Sequence, residues 1–147
     1  MHGSNGNTLS ANTVSGHPTV GVILGCSSDN YLESNSVTGN LSGIAMLCWP
    51  GYVTENVLYG NNVSNNFNGI EIGTNSTLAQ IRENVANNNT NTGIRVVNTA
   101  AQNRIQGNQA LNNGIYDLDD WNLPVCINTW INNTFTSSND PGGSCIE

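Results

Sequence analysis

Short apolar stretches, separated by Asn, Gly and Ser, follow one another along the whole chain. Within these stretches apolar and polar residues alternate, and alternation with a period of two is typical of β-strands. The residues between the stretches are those that favour turns, and the sequence has no helical spacing of apolar residues. The pattern therefore predicts short strands that are joined by tight turns.

A template of two asparagines and two apolar residues recurs along the chain. It reads Asn-x-(Leu/Ile/Trp)-x-x-Asn-x-(Val/Ala/Phe), and Ala79 replaces its first asparagine in the fourth copy. The other copies begin at Asn7, Asn30, Asn56, Asn103 and Asn128. The second asparagine of each copy is Asn12, Asn35, Asn61, Asn84, Asn108 and Asn133. Successive copies lie 23 to 26 residues apart, which is the signature of a repeat architecture.

A glycine followed by an alternating apolar stretch comes after each of the first five copies. These glycines are Gly21, Gly43, Gly69, Gly93 and Gly114. When the stretches are aligned on the glycine, the residue two positions later forms an outward-facing column. The members of this column are Ile23, Ala45, Glu71, Arg95 and Tyr116.

The recurrence of one residue type at one offset favours a stack of parallel coils over an antiparallel sandwich. In such a stack equivalent positions lie about 4.8 Å apart, so identical side chains form columns along the axis. Asparagine suits an inward column because it tolerates the backbone of a tight bend and because its amide both donates and accepts hydrogen bonds. We therefore expect the second asparagines of the template to form a buried ladder. A leucine-rich repeat of similar period needs more leucines and a helical return.

The template resembles the right-handed parallel β-helix repeats of the pectate-lyase-like superfamily, in particular its carbohydrate-binding and sugar-hydrolysis type repeats. The resemblance extends from Asn5 to about Phe135. It implies an all-β, right-handed, single-stranded parallel β-helix, a solenoid of about six coils with a C-terminal cap. Lyases, epimerases, phage tailspikes and non-catalytic surface proteins share such repeats, so several functions remain open.

The repeat predicts a single β-helix domain over residues 1–147. Residues 1–4 are interpreted as an added start, residues 5–115 as repeat coils, and residues 116–147 as the last coil and the cap. The chain opens in the middle of a repeat without a capping element, so we expect it to be a fragment of a longer β-helix. The alternative is self-association through the uncapped N-terminal coil.

The four cysteines fall into two pairs. Cys126 and Cys145 lie in the aromatic-rich C-terminal segment, where a cross-link would close the end of the rod, so we predict a disulfide between them. Cys26 and Cys48 each lie five residues after a repeat glycine and should stack in neighbouring coils. Two small buried residues are the favoured interpretation of this pair, and a disulfide is the alternative.

The charge and the cysteine content of the chain limit which partners it can bind and which compartment it occupies. The chain has three Arg, no Lys and a net charge of −7, which argues against binding along a nucleic-acid backbone. No apolar run approaches the length of a membrane span, so no membrane insertion is expected. Four cysteines in an acidic chain favour a secreted, periplasmic or cell-surface location, and we expect a bacterial protein.

The outward column contains the first candidates for chemistry. The favoured interpretation of Glu71 and Arg95 is an exposed ion pair on a solvated surface. The alternative is a polysaccharide subsite, in which Arg95 binds a uronate carboxylate and Glu71 or Tyr116 moves a proton.

Two further groups of residues are candidates for binding. Trp49 and Tyr52 lie in the longest interval between coils, and they are expected to present flat faces to sugar rings or else to pack against the rod. Asp117, Asp119 and Asp120 form an acidic cluster that is a weak candidate for Ca²⁺. No other cofactor is expected.

A complete active site is not recognisable in the sequence. The Asp-Pro-His-Asp motif of mannuronan epimerases is absent, and so are the acid clusters of polygalacturonases. We therefore expect a non-catalytic β-helical scaffold or surface module that contacts polysaccharide. A truncated or diverged polysaccharide lyase or uronate epimerase is the first alternative, and a structural spacer or tailspike-like stem is the second.

Overall fold

Parallel β-strands make up the regular structure of the chain in the computed structural model, which describes residues 1–140 and 142–147. These ranges contain fifteen short strands. They are β1 (Thr8–Ser10), β2 (Thr13–Ser15), β3 (Val20–Gly25), β4 (Tyr31–Glu33), β5 (Ser36–Thr38), β6 (Ser42–Leu47), β7 (Val53–Thr54), β8 (Val57–Tyr59), β9 (Asn68–Ile72), β10 (Ser76–Thr77), β11 (Gln80–Arg82), β12 (Thr92–Val96), β13 (Arg104–Gln106), β14 (Tyr116–Asp120) and β15 (Thr129–Ile131).

The strands form two main parallel sheets around a common core. The first sheet has the strand order β1-β4-β8-β11-β13-β15, and the second has the order β3-β6-β9-β12-β14. Two smaller sheets pair β2 with β5 and β7 with β10. Each pairing joins equivalent strands of successive windings, as Leu9 pairs with Leu32 and Ile81 with Ile105. The parallel solenoid predicted from the repeat is confirmed.

The described chain completes about five coils, and a sixth is only partly formed. Five windings contribute a strand to both main sheets, whereas the sixth contributes only β15 to the first sheet. The rest of this winding, residues 136–139, lies over β14 without forming a strand. There Asp117 N donates to the Ser137 carbonyl, and Leu118 forms a bridge with Ser138.

Apolar side chains of the template fill the interior in columns. Two such columns are fully buried, namely Leu32, Leu58, Ile81 and Ile105, and Val37, Val63, Ala86 and Ala110. Leu9 and Val14 of the first coil are only partly buried, because they lie at the end of the stack. At the opposite end Trp130 and Ile146 close the interior, with 3% and 2% of their surface exposed.

Residues 1–3 extend the second sheet beyond β3. The Gly25 backbone N donates to the Met1 carbonyl, and the Gly25 carbonyl accepts from Gly3 N. His2 forms a parallel bridge with Gly25. The opening residues, interpreted from the sequence as an added start, are therefore packed into the first coil. The outer edges of β1 and β2 have no strand partner in the described part of the chain.

Three columns of asparagine, rather than one, run along the molecule. The predicted ladder is confirmed as the middle column, and it consists of Asn12, Asn35, Asn61, Asn84, Asn108 and Asn133. The first column consists of Asn7, Asn30, Asn56, Asn103 and Asn128, with Ala79 as an interruption. The third, which the template did not include, consists of Asn40, Asn66, Asn89 and Asn113. Each of its members lies five residues after a member of the middle column.

Asn61 shows how an amide in these columns is satisfied. Its Nδ2 donates to Asn84 Oδ1 and to the Leu32 carbonyl, each at 2.9 Å. Its Oδ1 accepts from the backbone N and from Nδ2 of Asn35, also at 2.9 Å. Because both donors and both lone pairs are paired, a residue that is only 1% exposed has no unmet hydrogen-bonding group in its side chain.

The repeat glycines are required by the close approach of successive coils. A Cβ on Gly69 would collide with the Gly93 carbonyl oxygen, and a Cβ on Gly93 would lie 2.6 Å from the Asp117 carbonyl oxygen. A side chain at either position would therefore force neighbouring coils apart. At the equivalent position of β14 the chain has Asp117, because residues 136–139 lie over β14 without forming a strand and donate hydrogen bonds to its carboxylate.

Both cysteine pairs form disulfides. Cys126–Cys145 ties the last winding to the C-terminal segment, which confirms that prediction. Cys26–Cys48 joins two neighbouring coils, so the favoured interpretation of two unbonded residues is wrong. Cys26 has a left-handed backbone (φ 48°), unlike the extended backbone of a strand, and the two Cα atoms lie 4.7 Å apart, within the range of a disulfide. Closing a loop of about 20 residues stabilises the folded chain by about 3 kcal/mol.

Candidate functional site

An open groove of about 440 Å³ lies on the outer face of the second sheet. It extends from the end of β6, across β9 and β12, to the residue that follows β14. Its lining residues are Leu47, Cys48, Trp49, Glu71, Gly73, Thr74, Arg95, Val97 and Trp121. The groove therefore combines two large aromatic side chains with one acidic and one basic group.

The charged residues of the groove belong to a single outward column. The register places in it Ile23, Ala45, Glu71, Arg95 and Asp119. Glu71 and Arg95 are cross-strand neighbours, as the repeat predicts. The predicted position of Tyr116 in this column is wrong, because Tyr116 pairs with Thr92 and Asp119 takes the place beside Arg95.

The glycine used for alignment explains this error. Gly114 directly follows Asn113, whereas the residue beside Gly93 in the sheet is Asp117. Asp117 lies four residues after Asn113, and Gly93 likewise lies four residues after Asn89. The spacing from the third asparagine column to the glycine position is therefore the same in the last two coils, although it is three residues for Gly43 and Gly69. At position 117 the chain has an aspartate in place of glycine, and its carboxylate accepts from Thr136 N and Ser137 N of the segment that lies over β14.

Arg95 is held in place by three neighbouring side chains. Its Nε donates to Asp119 Oδ2 at 3.2 Å, and its Nη2 donates to Thr92 Oγ1 at 3.1 Å. Trp121 Nε1 donates to the same Asp119 oxygen at 2.9 Å, and the guanidinium lies 5.0 Å from the centre of the Trp121 ring. The Arg95 and Asp119 side chains are 16% and 6% exposed. The predicted exposed ion pair between Glu71 and Arg95 is therefore wrong.

Glu71 is the charged residue of the groove that has no partner. It is half-buried in β9. Its carboxylate forms no hydrogen bond and no ion pair with residues 1–140 or 142–147, whereas its neighbour Arg95 is paired with Asp119 on the other side. The Glu71 carboxylate is therefore free to accept hydrogen bonds from a ligand.

Two tryptophans stand at opposite ends of the groove. Trp49 follows β6 and is 81% exposed, and Trp121 follows β14 and is 50% exposed. Three strand-to-strand steps separate them along the sheet, which corresponds to roughly 14 Å. Trp49 follows Cys48 directly, so the Cys26–Cys48 disulfide fixes the base of its loop. The groove thus holds two exposed indoles with polar groups between them, and the Trp121 ring already has the Arg95 guanidinium beside it.

The other predicted ligand residues lie outside the groove. Tyr52 shares the loop of Trp49 and is 71% exposed, but it does not line the groove. Tyr116 is half-buried at the start of β14 and does not line it either. Trp121, which the sequence analysis assigned to the cap, is the groove residue that was missed. The sequence could have indicated Trp121 through its position two residues after Asp119, but only with β14 correctly aligned on β12.

The aspartates of the predicted calcium cluster have separate structural roles. Asp119 holds Arg95 and Trp121, whereas Asp117 ends the third asparagine column. Asp117 Oδ1 accepts from N and Nδ2 of Asn113, and its Oδ2 accepts from N and Oγ1 of Thr136. Across the described ranges no three His, Cys, Asp or Glu side chains are placed to hold a metal ion. The predicted calcium site is therefore not formed by these residues.

Asp120 ends the first asparagine column in the same way. Its Oδ2 accepts from Asn128 Nδ2 at 3.3 Å and from Trp130 Nε1 at 3.0 Å, and its Oδ1 accepts from N and Nδ2 of Asn122. The last amides of the first and third columns, Asn128 and Asn113, thus each donate to a carboxylate, whereas Asn133 at the end of the middle column donates to the Ile105 carbonyl.

The parallel coils and their asparagine columns define the class of protein. The family described as "Right handed beta helix region" matches residues 1–110, so the chain belongs to the right-handed β-helix family. The family expected from the template is thereby confirmed. No curated protein matches the chain significantly.

A solved structure with the same fold is a crystal structure of a mutant of the periplasmic alginate epimerase AlgG. It is similar to this chain with a TM-score of 0.68 and 21% sequence identity. The match covers 91% of this chain and 36% of the epimerase chain, so the chain spans about a third of that protein. At this identity the likeness shows the fold. Within the described residues no helix is long and apolar enough to cross a membrane.

Proposed function

We propose that the chain is a non-catalytic β-helical module of an exported protein and that it binds polysaccharide through the groove of the second sheet. The observation that carries this proposal is the placement of two exposed tryptophans, Trp49 and Trp121, at the two ends of one groove. Apolar surface concentrated in this way on a solvent-exposed face is typical of an interaction site.

The chemistry of the groove suits a sugar chain. A sugar ring has an apolar face of C–H groups and a rim of hydroxyls, so it can pack on an indole while polar groups fix its orientation. Glu71 and Thr74 line the groove between the tryptophans and offer a carboxylate and a hydroxyl to these hydroxyls. Because the groove is open along the sheet, it suits an internal stretch of a polymer.

The state of the charged residues supports binding rather than turnover. Hydrolysis of a glycosidic bond uses two carboxylates that flank the bond. Glu71 is free, but Asp119 accepts from both Arg95 and Trp121, and it is 4% exposed. The groove therefore offers one free carboxylate and no second group poised to exchange a proton.

A diverged polysaccharide lyase or uronate epimerase is the second candidate function. The likeness of the fold to an alginate epimerase favours it. Such an enzyme would act on uronate polymers, and Glu71 would be its free proton-transfer group. Release of unsaturated product, or a change in uronate composition that Glu71→Gln abolishes, would establish this function in place of simple binding.

The proposed location outside the cytoplasm rests on the two disulfides. Such bonds persist in oxidising compartments, so they support a secreted, periplasmic or cell-surface protein. The solved structure of similar fold is that of a periplasmic protein.

Replacing Trp49 by alanine is expected to weaken polysaccharide binding about tenfold, because it removes one of the two stacking faces. The polysaccharide is first identified by affinity electrophoresis of the wild-type chain against a panel of soluble polymers. Dissociation constants are then measured by isothermal titration calorimetry with oligosaccharides of the polymer that binds.

Tyr52→Ala is the matched control for this experiment. It removes an exposed aromatic ring from the same loop, but from outside the groove, so binding should stay within about twofold of the wild type. Equal losses in the two variants, or full binding by Trp49→Ala, would contradict the assignment of the groove. If no polymer of the panel binds the wild-type chain, the proposed function itself is wrong.

A further inference from the structure

The charges in the groove determine which class of saccharide it admits, provided that the groove binds saccharides as proposed above. Three charged side chains lie on or directly behind its floor, namely Glu71, Arg95 and Asp119. By formal charge, Glu71 and Asp119 count as two negative groups and Arg95 as one positive group. The groove therefore has a net formal charge of one negative unit.

Arg95 is poorly placed to receive the carboxylate of an acidic sugar. Arginine recognises carboxylates best through two parallel N–H groups of its fork. In Arg95 the Nε hydrogen is donated to Asp119, and an Nη2 hydrogen is donated to Thr92. The Asp119 carboxylate also offsets the charge of the guanidinium at 3.2 Å. The side-on pair of Nε and Nη2 is therefore occupied, and a uronate could bind only to the end-on pair of Nη1 and Nη2, on a guanidinium whose charge is already balanced.

The charged group of the groove that has no partner is the negative carboxylate of Glu71. Its carboxylate lies one strand away from Arg95 and has no partner in the described chain. The other two arginines, Arg82 and Arg104, lie in β11 and β13 of the first sheet and do not line the groove. The whole chain carries a net charge of −7. An anionic ligand thus meets repulsion both near the floor and at longer range.

We infer that the groove binds saccharides without acidic groups and rejects uronates. Hydroxyl or amino groups of such sugars donate to the Glu71 carboxylate, which gives a charge-assisted hydrogen bond, whereas a sugar carboxylate at the same place faces a like charge. This selectivity is opposite to the alternative considered from the sequence, in which Arg95 binds a uronate.

Matched pairs of ligands test this selectivity. Oligogalacturonides are compared with their methyl esters, and mannuronate oligomers are compared with mannan oligomers, by calorimetry at low ionic strength. In any pair that binds, the neutral member should bind at least about fivefold more tightly than the acidic member. Added salt should reduce this difference in affinity by screening the repulsion.

The substitution Glu71→Gln tests whether Glu71 causes this selectivity. In Glu71→Gln the ratio of neutral to acidic affinity should fall toward one, because the groove loses its net charge while a hydrogen-bonding side chain remains. Glu33→Gln is the control, since it removes the same charge from β4 of the first sheet, away from the groove. It should leave the ratio unchanged.

The outcomes separate the two proposals. Tighter binding of the neutral members, with a ratio that depends on Glu71, supports the inference. Equal or tighter binding of the acidic members overturns the inference. The groove remains the proposed binding site in that case if Trp49→Ala weakens the binding of the acidic members. A ratio that changes equally in Glu71→Gln and Glu33→Gln also overturns it. Failure of all neutral and acidic ligands to bind overturns the proposed function.

Discussion

Replacement of Asp117 by alanine is expected to lower the free energy of unfolding by about 5 kcal/mol, because several partly buried donors lose their acceptor together. The backbone N and Nδ2 of Asn113, and the backbone N of both Thr136 and Ser137, all donate to this carboxylate. The residue is 1% exposed, so water cannot replace the carboxylate without local opening of the structure. Chemical unfolding followed by circular dichroism measures the change.

Glu147→Ala is the control for Asp117→Ala. It removes an exposed carboxylate from the same end of the chain and should change the free energy of unfolding by less than about 0.5 kcal/mol. Similar stability of the two variants would show that Asp117 does not terminate the asparagine column.

The same aspartate should make the stability of the fold sensitive to acid. Burial raises the pKa of Asp117, but the hydrogen bonds from Asn113 and Thr136 outweigh this effect and hold the pKa below its ordinary value. Asp140 also has a lowered pKa, because backbone N–H groups of Cys145 and Ile146 donate to it. A lowered pKa in the folded state stabilises the fold above the unfolded value of about 4, and this contribution is lost as the pH falls below it. The stability difference between the wild type and Asp117→Asn should therefore shrink between pH 7 and pH 3.

Replacement of Asn84 by leucine is expected to lower the free energy of unfolding by about 4 kcal/mol, since two buried donors would each lose an acceptor. These donors are the backbone N and Nδ2 of Asn61, both of which donate to Asn84 Oδ1 at 2.9 Å. The Leu58 carbonyl and Asn108 Oδ1 would also each lose a hydrogen bond from Asn84 Nδ2. Greater apolarity does not compensate for these losses, because the unpaired groups remain buried.

Asn62→Leu is the control for this substitution. Asn62 is exposed and adjacent to the column, and its side chain takes no part in the ladder, so the change should cost less than about 1 kcal/mol. Thermal and chemical unfolding of the two variants are compared under the same conditions. Equal stability would mean that the buried amides do not depend on one another.

Much of the fold is predictable from the sequence because a stack of coils repeats its environment. Each coil presents the same bend and the same buried position, so residues such as Asn61 and Asn84 recur at a fixed offset with their apolar partners. The third column was open to prediction too, since Asn66 and Asn89 follow those residues at a constant spacing of five. The template missed it because the apolar residues that anchor the template lie on the preceding strands.

The groove is less predictable because outward positions are not repeated and because the last coil differs from the others. Alignment on Gly114 fails where no further strand follows, which hides both Asp119 and Trp121. Cys26, which forms the disulfide with Cys48, has a left-handed backbone, and residue spacing does not reveal that conformation. The aspartates of the cap suggest a metal site by composition, whereas their partners are amide and indole donors, such as Asn113 Nδ2 for Asp117 and Trp130 Nε1 for Asp120.

The indole Nε1–H signals of the three tryptophans offer the most direct test of the groove. Trp49 and Trp121 line it, whereas Trp130 is 3% exposed and donates to Asp120 in the interior, so it serves as an internal reference. In a two-dimensional ¹H–¹⁵N titration with a saturating neutral oligosaccharide, the Trp49 and Trp121 signals should shift while that of Trp130 stays in place. A bound oligosaccharide that leaves Trp49 and Trp121 unshifted would show that the groove is not the binding site.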